Sequence, residues 1–203
     1  MNQQKIIDDL NEIAKVDDDV KKALPVFGYP APRIRPAGFE TFLSTIVGQQ
    51  ISTEAAKAIM ARIHLLLPNM QAHKLLKLPA GALREAGLSG RKVEYAEGLA
   101  EAIAGGALDV DGLATQNDSE AIASITALRG FGEWSAEIYL MFSLHRSDIF
   151  PANDLALQVA LQKLKGLENR PSDKQAREII EHWSPWRSAG SLFLWHYYRG
   201  APT

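Results

Sequence analysis

The sequence predicts an all-α protein. Apolar side chains recur at intervals of three and four residues along most of the chain, which is the spacing of one face of an α-helix. No stretch of useful length alternates apolar and polar side chains, as a half-buried strand would. Asn117 and Glu120 have the spacing of a capping box, which opens a helix, and Ser172 with Gln175 repeats that spacing.

The N-terminal half of the chain contains six predicted helices. Ile6, Leu10 and Ile13 mark the first helix. The proline-rich segment 24–36 then predicts an extended connection. Ser52 is placed to cap one of the later helices. After the first, helices are predicted at about residues 39–47, 53–67, 70–76, 79–86 and 91–104.

The C-terminal half begins with a pair of helices. The capping pair Asn117 and Glu120 opens the first helix of this pair. The second, at about residues 133–144, is apolar on almost every side, so we expect it to be central and buried. Ser184-Pro185 breaks the chain before the last helix. The remaining helices are predicted at about residues 155–164, at 172–183 and from the break to residue 195.

The most informative stretch is LRGFGEWSAEIYLMF, residues 128–142. One helix ends at Gly130, the chain turns through Phe131 and Gly132, and a second helix starts, which is a helix-hairpin-helix. The glycines permit left-handed or closely approached backbone, and the N–H groups of the second helix lie at the positive end of its dipole. Such a turn suits a phosphate. A tight connection between two packed helices is the alternative that this motif alone leaves open.

Composition excludes several classes of function. The chain has no cysteine, which removes disulfides, thiol catalysis and a cysteine-ligated iron–sulfur cluster. Its histidines show no ligand spacing, so we assign no metal catalysis. No apolar run approaches the roughly 20 residues that span a bilayer, and the polar N-terminus lacks the apolar centre of a signal peptide. We expect a soluble cytoplasmic protein, nuclear if eukaryotic, with no membrane partner.

The charge balance differs from that of a typical nucleic-acid binder. The 22 Lys and Arg residues against 24 Asp and Glu residues give a net charge of −2, so we expect no general attraction to DNA. Two basic groups could supply local patches, although a solvated face is the more common role of such residues. They are Lys21, Lys22, Arg33 and Arg35, and Arg84, Arg91 and Lys92.

Four sequence blocks are spread across residues 39–200: FETFLSTIVGQQIS, the hairpin, FPAND and WRSAGSLFLWHYYRG. In this order they resemble the helix-hairpin-helix DNA glycosylases, and among these the alkylpurine branch, DNA-3-methyladenine glycosylase II. The resemblance covers nearly the whole chain. It implies a two-lobed helical protein with the active site in the cleft between the lobes. By analogy, residues 1–36 with 145–203 form a terminal lobe, and residues 37–144 form a central lobe ending in the hairpin at about 120–144.

Asp154, in the FPAND block, is the catalytic candidate. An Asp just before LALQVAL also suits a helix N-cap, and Asn153 beside it could cap equally well. In the resembled family the aspartate of this block is catalytic. Cleavage of an N-glycosidic bond develops positive charge on the deoxyribose, and an ionised carboxylate facing the sugar stabilises that charge.

Trp134, two residues after the second hairpin glycine, predicts the type of reaction. Superfamily members that also cut the DNA backbone have a lysine there, which attacks the sugar as an amine nucleophile. The resemblance therefore implies a monofunctional glycosylase, which uses water. An indole also attracts the positive charge of an alkylated purine, although a core tryptophan is the alternative. Trp195 matches a second aromatic of the family's base pocket, and Ile138 stands where some members have a pocket tyrosine.

The segment GQQIS, residues 48–52, matches the DNA-facing loop of the family. A base cannot be cut inside a duplex, so it must be flipped out and the gap filled by a wedge. Gln50 aligns with the wedge position, with Gln49 or Ile51 beside it. A simple capped interhelical turn is the alternative.

The hairpin is expected to grip the phosphate backbone through the amides around Gly130, Phe131 and Gly132. The resemblance also implies that the carbonyls of Thr126, Leu128 and Phe131 hold a monovalent cation, Na⁺ or K⁺. No other cofactor is expected to be required.

These features predict a monomeric, monofunctional DNA glycosylase without AP lyase activity. It would excise 3-methyladenine and 7-methylguanine from double-stranded DNA in base excision repair. Two alternatives stay open. One is a DNA-binding helix-hairpin-helix module without catalysis, in which Asp154 is only a cap. The other is a glycosylase for a different lesion, such as ethenoadenine, hypoxanthine or uracil.

Overall fold

The computed structural model describes residues 1–200, and every regular element in that part of the chain is helical. The predicted all-α class is therefore confirmed. No helix in this range combines the length and the apolar character that a membrane span needs. The α-helices are α1 (Gln3–Val16), α2 (Asp18–Phe27), α3 (Phe39–Gly48), α4 (Thr53–Leu66), α5 (Ala72–Leu75), α6 (Ala82–Glu85), α7 (Gly90–Ala104), α8 (Asp118–Thr126), α9 (Glu133–Phe142), α10 (Leu155–Lys165), α11 (Asp173–Ile179) and α12 (Arg187–Gly200), with short 3-10 helices at Gly112–Ala114 and Glu181–Trp183.

Local capping chemistry starts several of these helices where the sequence predicts it. The Ser52 hydroxyl accepts a hydrogen bond from the Ala55 amide at the start of α4. Asn117 and Glu120 form a reciprocal capping box at α8. Ser172 forms the same kind of box with Gln175 at α11. Each cap satisfies amides that would otherwise lack a partner in the first turn.

The extended connection, predicted for residues 24–36, begins later in the structure than the sequence predicts. α2 continues to Phe27, and the extended connection runs only from Gly28 to Gly38. The Asp17 carboxylate caps this helix, and Leu24 is one of its buried side chains. Pro25 lies in the last turn, so the helical hydrogen bond that its missing N–H removes is close to the end of α2.

Other predicted boundaries also move. α5 and α6 are single turns of four residues each, shorter than predicted. The segment expected as one helix to residue 183 ends as α-helix at Ile179 and finishes as a 3-10 turn. α12 extends beyond residue 195 to Gly200. Such end residues depend on tertiary packing more than on local pattern.

The chain divides into two compact units, and the boundaries differ from those expected. The first unit contains residues 1–34 and the described residues from 137 onward, and the second contains residues 35–136. The expected boundaries lay after residues 36 and 144. The second boundary moves into α9 because its later residues make their contacts in the first unit, where Glu137 pairs with Arg177 at 3.0 Å.

In the first unit, α10 packs against α12, and α1 packs against α2 and α12. Asp17, whose side chain is fully buried, ties the junction of α1 and α2 to α10 and to the 3-10 turn that precedes α12. Its carboxylate accepts hydrogen bonds from Lys165 Nζ at 2.6 Å, His182 Nε2 at 3.0 Å and Trp183 Nε1 at 2.6 Å. Burial alone raises the pKa of Asp17, but hydrogen bonds from Lys165, Trp183 and the Val20 amide outweigh it and lower the pKa to about 2.

In the second unit, α7 packs against α3 and α5, and α3 packs against α4. α3 contributes Phe42, Leu43 and Ile46 to the core of this unit, all almost fully buried. The Arg62 guanidinium donates to the Ala86 carbonyl at 2.7 Å, which joins α4 to the end of α6.

Candidate active site

The hairpin turn joins α8 to α9 and belongs to the second unit. The Phe131 amide donates to the Leu128 carbonyl at 3.2 Å, which closes the turn. The Ala136 amide donates to the Gly132 carbonyl at 3.1 Å, so helical bonding starts at that glycine. The amides at the start of α9 therefore lie at the positive end of a ten-residue helix.

The two hairpin glycines have different structural roles. Gly130 has a φ of 93°, and a Cβ there would overlap the ring of Tyr95. Only glycine fits that conformation and that space without strain. A Cβ on Gly132 would meet no atom within 4 Å. Gly132 therefore leaves open space beside the start of α9, where another molecule can approach the backbone.

A ring contact anchors the hairpin turn in the second unit. The buried Phe131 ring meets Phe42 edge-on, with 5.5 Å between ring centroids. The carbonyls of Thr126, Leu128 and Phe131 belong to the end of α8 and to the turn. Carbonyl oxygens and the negative end of a helix dipole are donors of the kind that suits a monovalent cation, and the ion itself stays a prediction.

The predicted wedge loop, residues 48–52, lies between α3 and α4. Gln49 points to the hairpin, and its Nε2 donates to the Gly130 carbonyl at 2.8 Å. Gln50 is exposed and has a φ of 56°, a left-handed conformation that few residues other than glycine adopt. Ile51 is 38% exposed. Of the three predicted wedge residues, Gln49 therefore makes an internal hydrogen bond, whereas Gln50 and Ile51 lie at the surface.

Lys92 holds this loop in a way that sequence reasoning missed. Its Nζ donates to the carbonyls of Val47 and Gln49, at 2.7 Å each. These carbonyls belong to the end of α3, which has no basic residue in its last turn. In the sequence, this lack of a basic residue is the signal that another part of the chain supplies the cation at the end of α3. Partial burial lowers the pKa of Lys92 from its ordinary value, because desolvation penalises the charged form.

Asp154 belongs to the first unit and is the N-cap of α10. Its Oδ1 accepts the Leu157 amide at 3.0 Å, so the cap is Asp154 and not the neighbouring Asn153. The same oxygen accepts a hydrogen bond from Trp195 Nε1 at 3.1 Å. The two donors come from different helices, α10 and α12, and together they hold the carboxylate in one orientation.

The loop that presents this carboxylate is itself bonded at two carbonyls. Arg177 Nη1 donates to the Phe150 carbonyl at 3.0 Å. The buried Gln158 amide donates to the Ala152 carbonyl at 2.8 Å and to Asp173 at 2.7 Å. Sequence reasoning identified neither side chain, because an Arg and a Gln on amphipathic helices have no local signature of this role.

Trp195, predicted as a base-pocket aromatic, is largely buried. It is 8% exposed, and its ring lies 5.9 Å from Phe142, centroid to centroid. The Arg33 guanidinium carbon lies over the indole, 5.6 Å from the ring centroid. A base that stacks on this face must therefore displace Arg33. The indole N–H gives Trp195 a further role, which is to orient Asp154.

Trp134 and Ile138 both lie on α9, in different environments. Trp134 is in the first turn, belongs to the second unit and is 40% exposed. Ile138, one turn later, belongs to the first unit and is buried. The core alternative for Trp134 is therefore wrong, while the base-contacting role of either residue remains a prediction. No group of three or more His, Asp or Glu residues that could hold a metal ion occurs within residues 1–200.

Comparison with known proteins gives a match over most of the chain. A family model described as HhH-GPD superfamily base excision DNA repair protein matches residues 43–185. This range contains the wedge loop, the hairpin and Asp154 and ends before Trp195. Over 190 residues the chain is 26% identical to DNA-3-methyladenine glycosylase 1 of Schizosaccharomyces pombe. This alignment covers 90% of this chain and 83% of that protein.

Two solved structures have a similar fold. The DNA-3-methyladenine glycosidase of Bacillus halodurans is 30% identical, with a TM-score of 0.87, and the match covers 95% of this chain and 89% of that one. A 3-methyladenine DNA glycosylase of Schizosaccharomyces pombe, in complex with abasic DNA, is 24% identical with a TM-score of 0.83. That second match covers 96% of this chain and 98% of the other and is a likeness of fold.

Proposed function

Because the chain belongs to the HhH-GPD superfamily of base excision DNA repair proteins, we propose that it is a DNA glycosylase that releases alkylated purines, including 3-methyladenine and 7-methylguanine. Relatives with 3-methyladenine glycosylase names support this substrate class. The observation that carries the proposal is the Asp154 carboxylate, oriented by the Leu157 amide and the Trp195 indole. The second donor comes from a different helix and fixes the direction of the carboxylate.

Asp154 supplies negative charge to the transition state. The bond between C1′ and the purine nitrogen breaks with both electrons leaving on the base, and positive charge develops on the deoxyribose. Water then adds to C1′ and gives up a proton. An alkylated purine is positively charged before it leaves, so it departs as a neutral base without a proton from an acid. One carboxylate that stabilises the sugar and orients the water is therefore sufficient for this reaction.

The second unit binds the DNA backbone. The amides at the start of α9, with open space at Gly132, donate hydrogen bonds to a phosphate oxygen at the positive end of the helix dipole. Gln50 and Ile51, at the surface of the wedge loop, fill the gap that the flipped nucleotide leaves. Phosphate contacts fix position without reading sequence, which suits an enzyme that must search DNA of any sequence.

Trp134 contacts the damaged base. Its exposed indole attracts the positive charge that alkylation places on a purine. A normal purine lacks that charge, so stacking on an indole favours the damaged base over its undamaged counterpart.

The same residue makes the enzyme monofunctional. With tryptophan in place of a lysine nucleophile, no amine stands at this position to form a Schiff base with the sugar. Borohydride should therefore trap no covalent protein–DNA adduct during turnover, and the product strand should break only after alkali treatment. Efficient trapping would refute this part of the proposal.

A monovalent cation is proposed at the hairpin. The carbonyls of Thr126, Leu128 and Phe131 would hold it, at the end of α8, and its charge would favour a nearby phosphate. Replacing Na⁺ and K⁺ by a large organic cation at constant ionic strength should then weaken binding to an abasic duplex.

The direct test is release of free base from methylated duplex DNA by the purified protein, identified by chromatography. Release of 3-methyladenine and 7-methylguanine by the protein, with no release from unmethylated DNA, is the expected result. Binding of abasic DNA with no release of any base would instead support the non-catalytic DNA-binding alternative. In parallel assays on duplexes that contain hypoxanthine or ethenoadenine, release of one of these bases without release from methylated DNA would move the protein to another lesion class.

A further inference from the structure

The end of α3 lacks the usual means of satisfying its last carbonyls. The residue after the helix is Gln49, not a glycine in the left-handed conformation, and the last turn contains no basic side chain. The Lys92 ammonium, from α7, fills this role by donating to the carbonyls of Val47 and Gln49. Both distances, 2.7 Å, are short and typical of charge-assisted hydrogen bonds.

The loop that Lys92 holds is also bonded to the hairpin. The Gln49 side chain donates to the Gly130 carbonyl at 2.8 Å. On the hairpin side, the Tyr95 ring fills the space where a Cβ of Gly130 would lie. Lys92 and Tyr95 are three residues apart, so they lie on one face of α7. One helix face therefore contacts both the wedge loop and the hairpin turn.

We infer that Lys92 is a positioning residue, whose ammonium fixes the wedge loop and, through Gln49, joins it to the hairpin as one DNA-binding element. This inference rests on the proposed function of the two loops. Flipping a nucleotide requires the wedge to enter the base stack while the hairpin holds the phosphate. Because the two loops are bonded to each other, the contact of the hairpin with phosphate also holds the wedge loop in place when the wedge enters the base stack. Less binding energy is then lost in deforming the wedge loop.

A comparison of two substrates for Lys92→Met tests the inference. One duplex carries a single 7-methylguanine paired with cytosine, and the other carries the same lesion in an unpaired bubble, where less energy is needed to extrude it. Single-turnover base release should slow by about tenfold on the paired duplex, as expected for losing hydrogen bonds to a charged group, and by less than about twofold on the bubble. Lys92→Arg, which keeps the charge and the donors, should restore most of the rate.

Lys57→Met is the matched control, because Lys57 is an exposed lysine on α4 of the same unit and its loss changes the net charge equally. It should release base from both substrates like the wild type. Gln49→Ala should reproduce the substrate difference, and combining it with Lys92→Met should add little, because both changes break one chain of contacts.

The outcomes separate the inference from the proposed function. A wild-type protein that releases no base from either substrate overturns the proposed function. An active wild type with a Lys92→Met variant that matches it on the paired duplex overturns the inference. Equal slowing on both substrates, with a lowered melting temperature, would also overturn it, since that pattern reports a loss of fold.

Discussion

At the residue scale, Asp154 combines two tasks in one carboxylate oxygen. It caps α10 through the Leu157 amide, and it accepts the Trp195 indole N–H. Only the negative charge, not the hydrogen-bonding pattern, is needed for the proposed chemistry. Because asparagine keeps an accepting oxygen and loses the charge, one substitution separates these two structural contacts from the proposed catalytic role of the charge.

Asp154→Asn should lower the single-turnover rate of base release on the order of a hundredfold or more, the effect expected from removing one preorganised electrostatic group. Its melting temperature should change little, because asparagine caps helices about as well as aspartate. Asp111→Asn, an exposed position whose side chain makes no cap hydrogen bond, serves as the control. A variant that melts normally and releases base at nearly the wild-type rate would revive the cap-only role.

Arg33 gives a second prediction at the residue scale, about the choice of base. Its guanidinium covers the face of Trp195 and would compete with, and repel, a positively charged purine. Arg33→Gln should raise kcat/KM for 7-methylguanine relative to neutral hypoxanthine by about threefold, which corresponds to a cation–π contact at a partly exposed site. Arg35→Gln, also exposed and with the same charge change, should leave the ratio unaltered. An unchanged ratio in the Arg33 variant would exclude this role.

At the element scale, the two glycines of the hairpin differ in their backbone conformation and in their surroundings. Gly130 is required by its positive φ and by the Tyr95 ring, whereas Gly132 has free space where a side chain would be. The sequence shows both glycines but not this difference, because the difference depends on which side chain packs against each of them.

Gly132→Val should fold and lose DNA binding. Its side chain would occupy the space beside the α9 amides, so affinity for a stable abasic duplex should fall by about tenfold, as for the loss of one hydrogen bond to a charged group. Gly130→Ala should instead lower the melting temperature, because an alanine Cβ meets the Tyr95 ring in a strained conformation. Fluorescence anisotropy and thermal melting of both variants measure these effects. A folded Gly132→Val variant with intact binding would contradict the phosphate-binding role of the hairpin.

At the scale of the whole molecule, stability depends on polar ties as well as on the apolar core. Asp17 joins α2, α10 and the 3-10 turn before α12 through Lys165, His182 and Trp183. Its pKa of about 2 lies below the ordinary value of 3.8. The folded state therefore binds this proton less readily than the unfolded state does, and the resulting stability is present above about pH 4 and is lost as the pH falls towards 2.

Asp17→Asn should lower the free energy of unfolding near pH 7 by about 2 kcal/mol, from the shift in pKa alone. The difference between wild type and variant should narrow between pH 4 and pH 2, where the wild-type carboxyl becomes protonated. Urea unfolding at pH 7, 4 and 2.5 measures both effects. A difference that stays constant over this range would show that the charge of Asp17 does not stabilise the fold.

The sequence by itself determined the features that local chemistry encodes. Helix class, the capping boxes at Asn117 and Ser172, and the glycine turn at Gly130 all depend on residues within a few positions of one another. The FPAND motif, and the family resemblance that it supports, predict Asp154 as the catalytic residue. The sequence shows these features because the interacting groups are neighbours in the chain.

Only the tertiary structure decided which distant residues meet. Gln49 bonds the carbonyl of a residue 81 positions away, Lys92 reaches one 45 positions away, and Trp195 orients an aspartate 41 positions away. The end of α2 and the division of α9 between two units follow from the same kind of packing. No periodicity or cap records such pairs, because their energy depends on how helices are placed in space rather than on the order of residues along the chain.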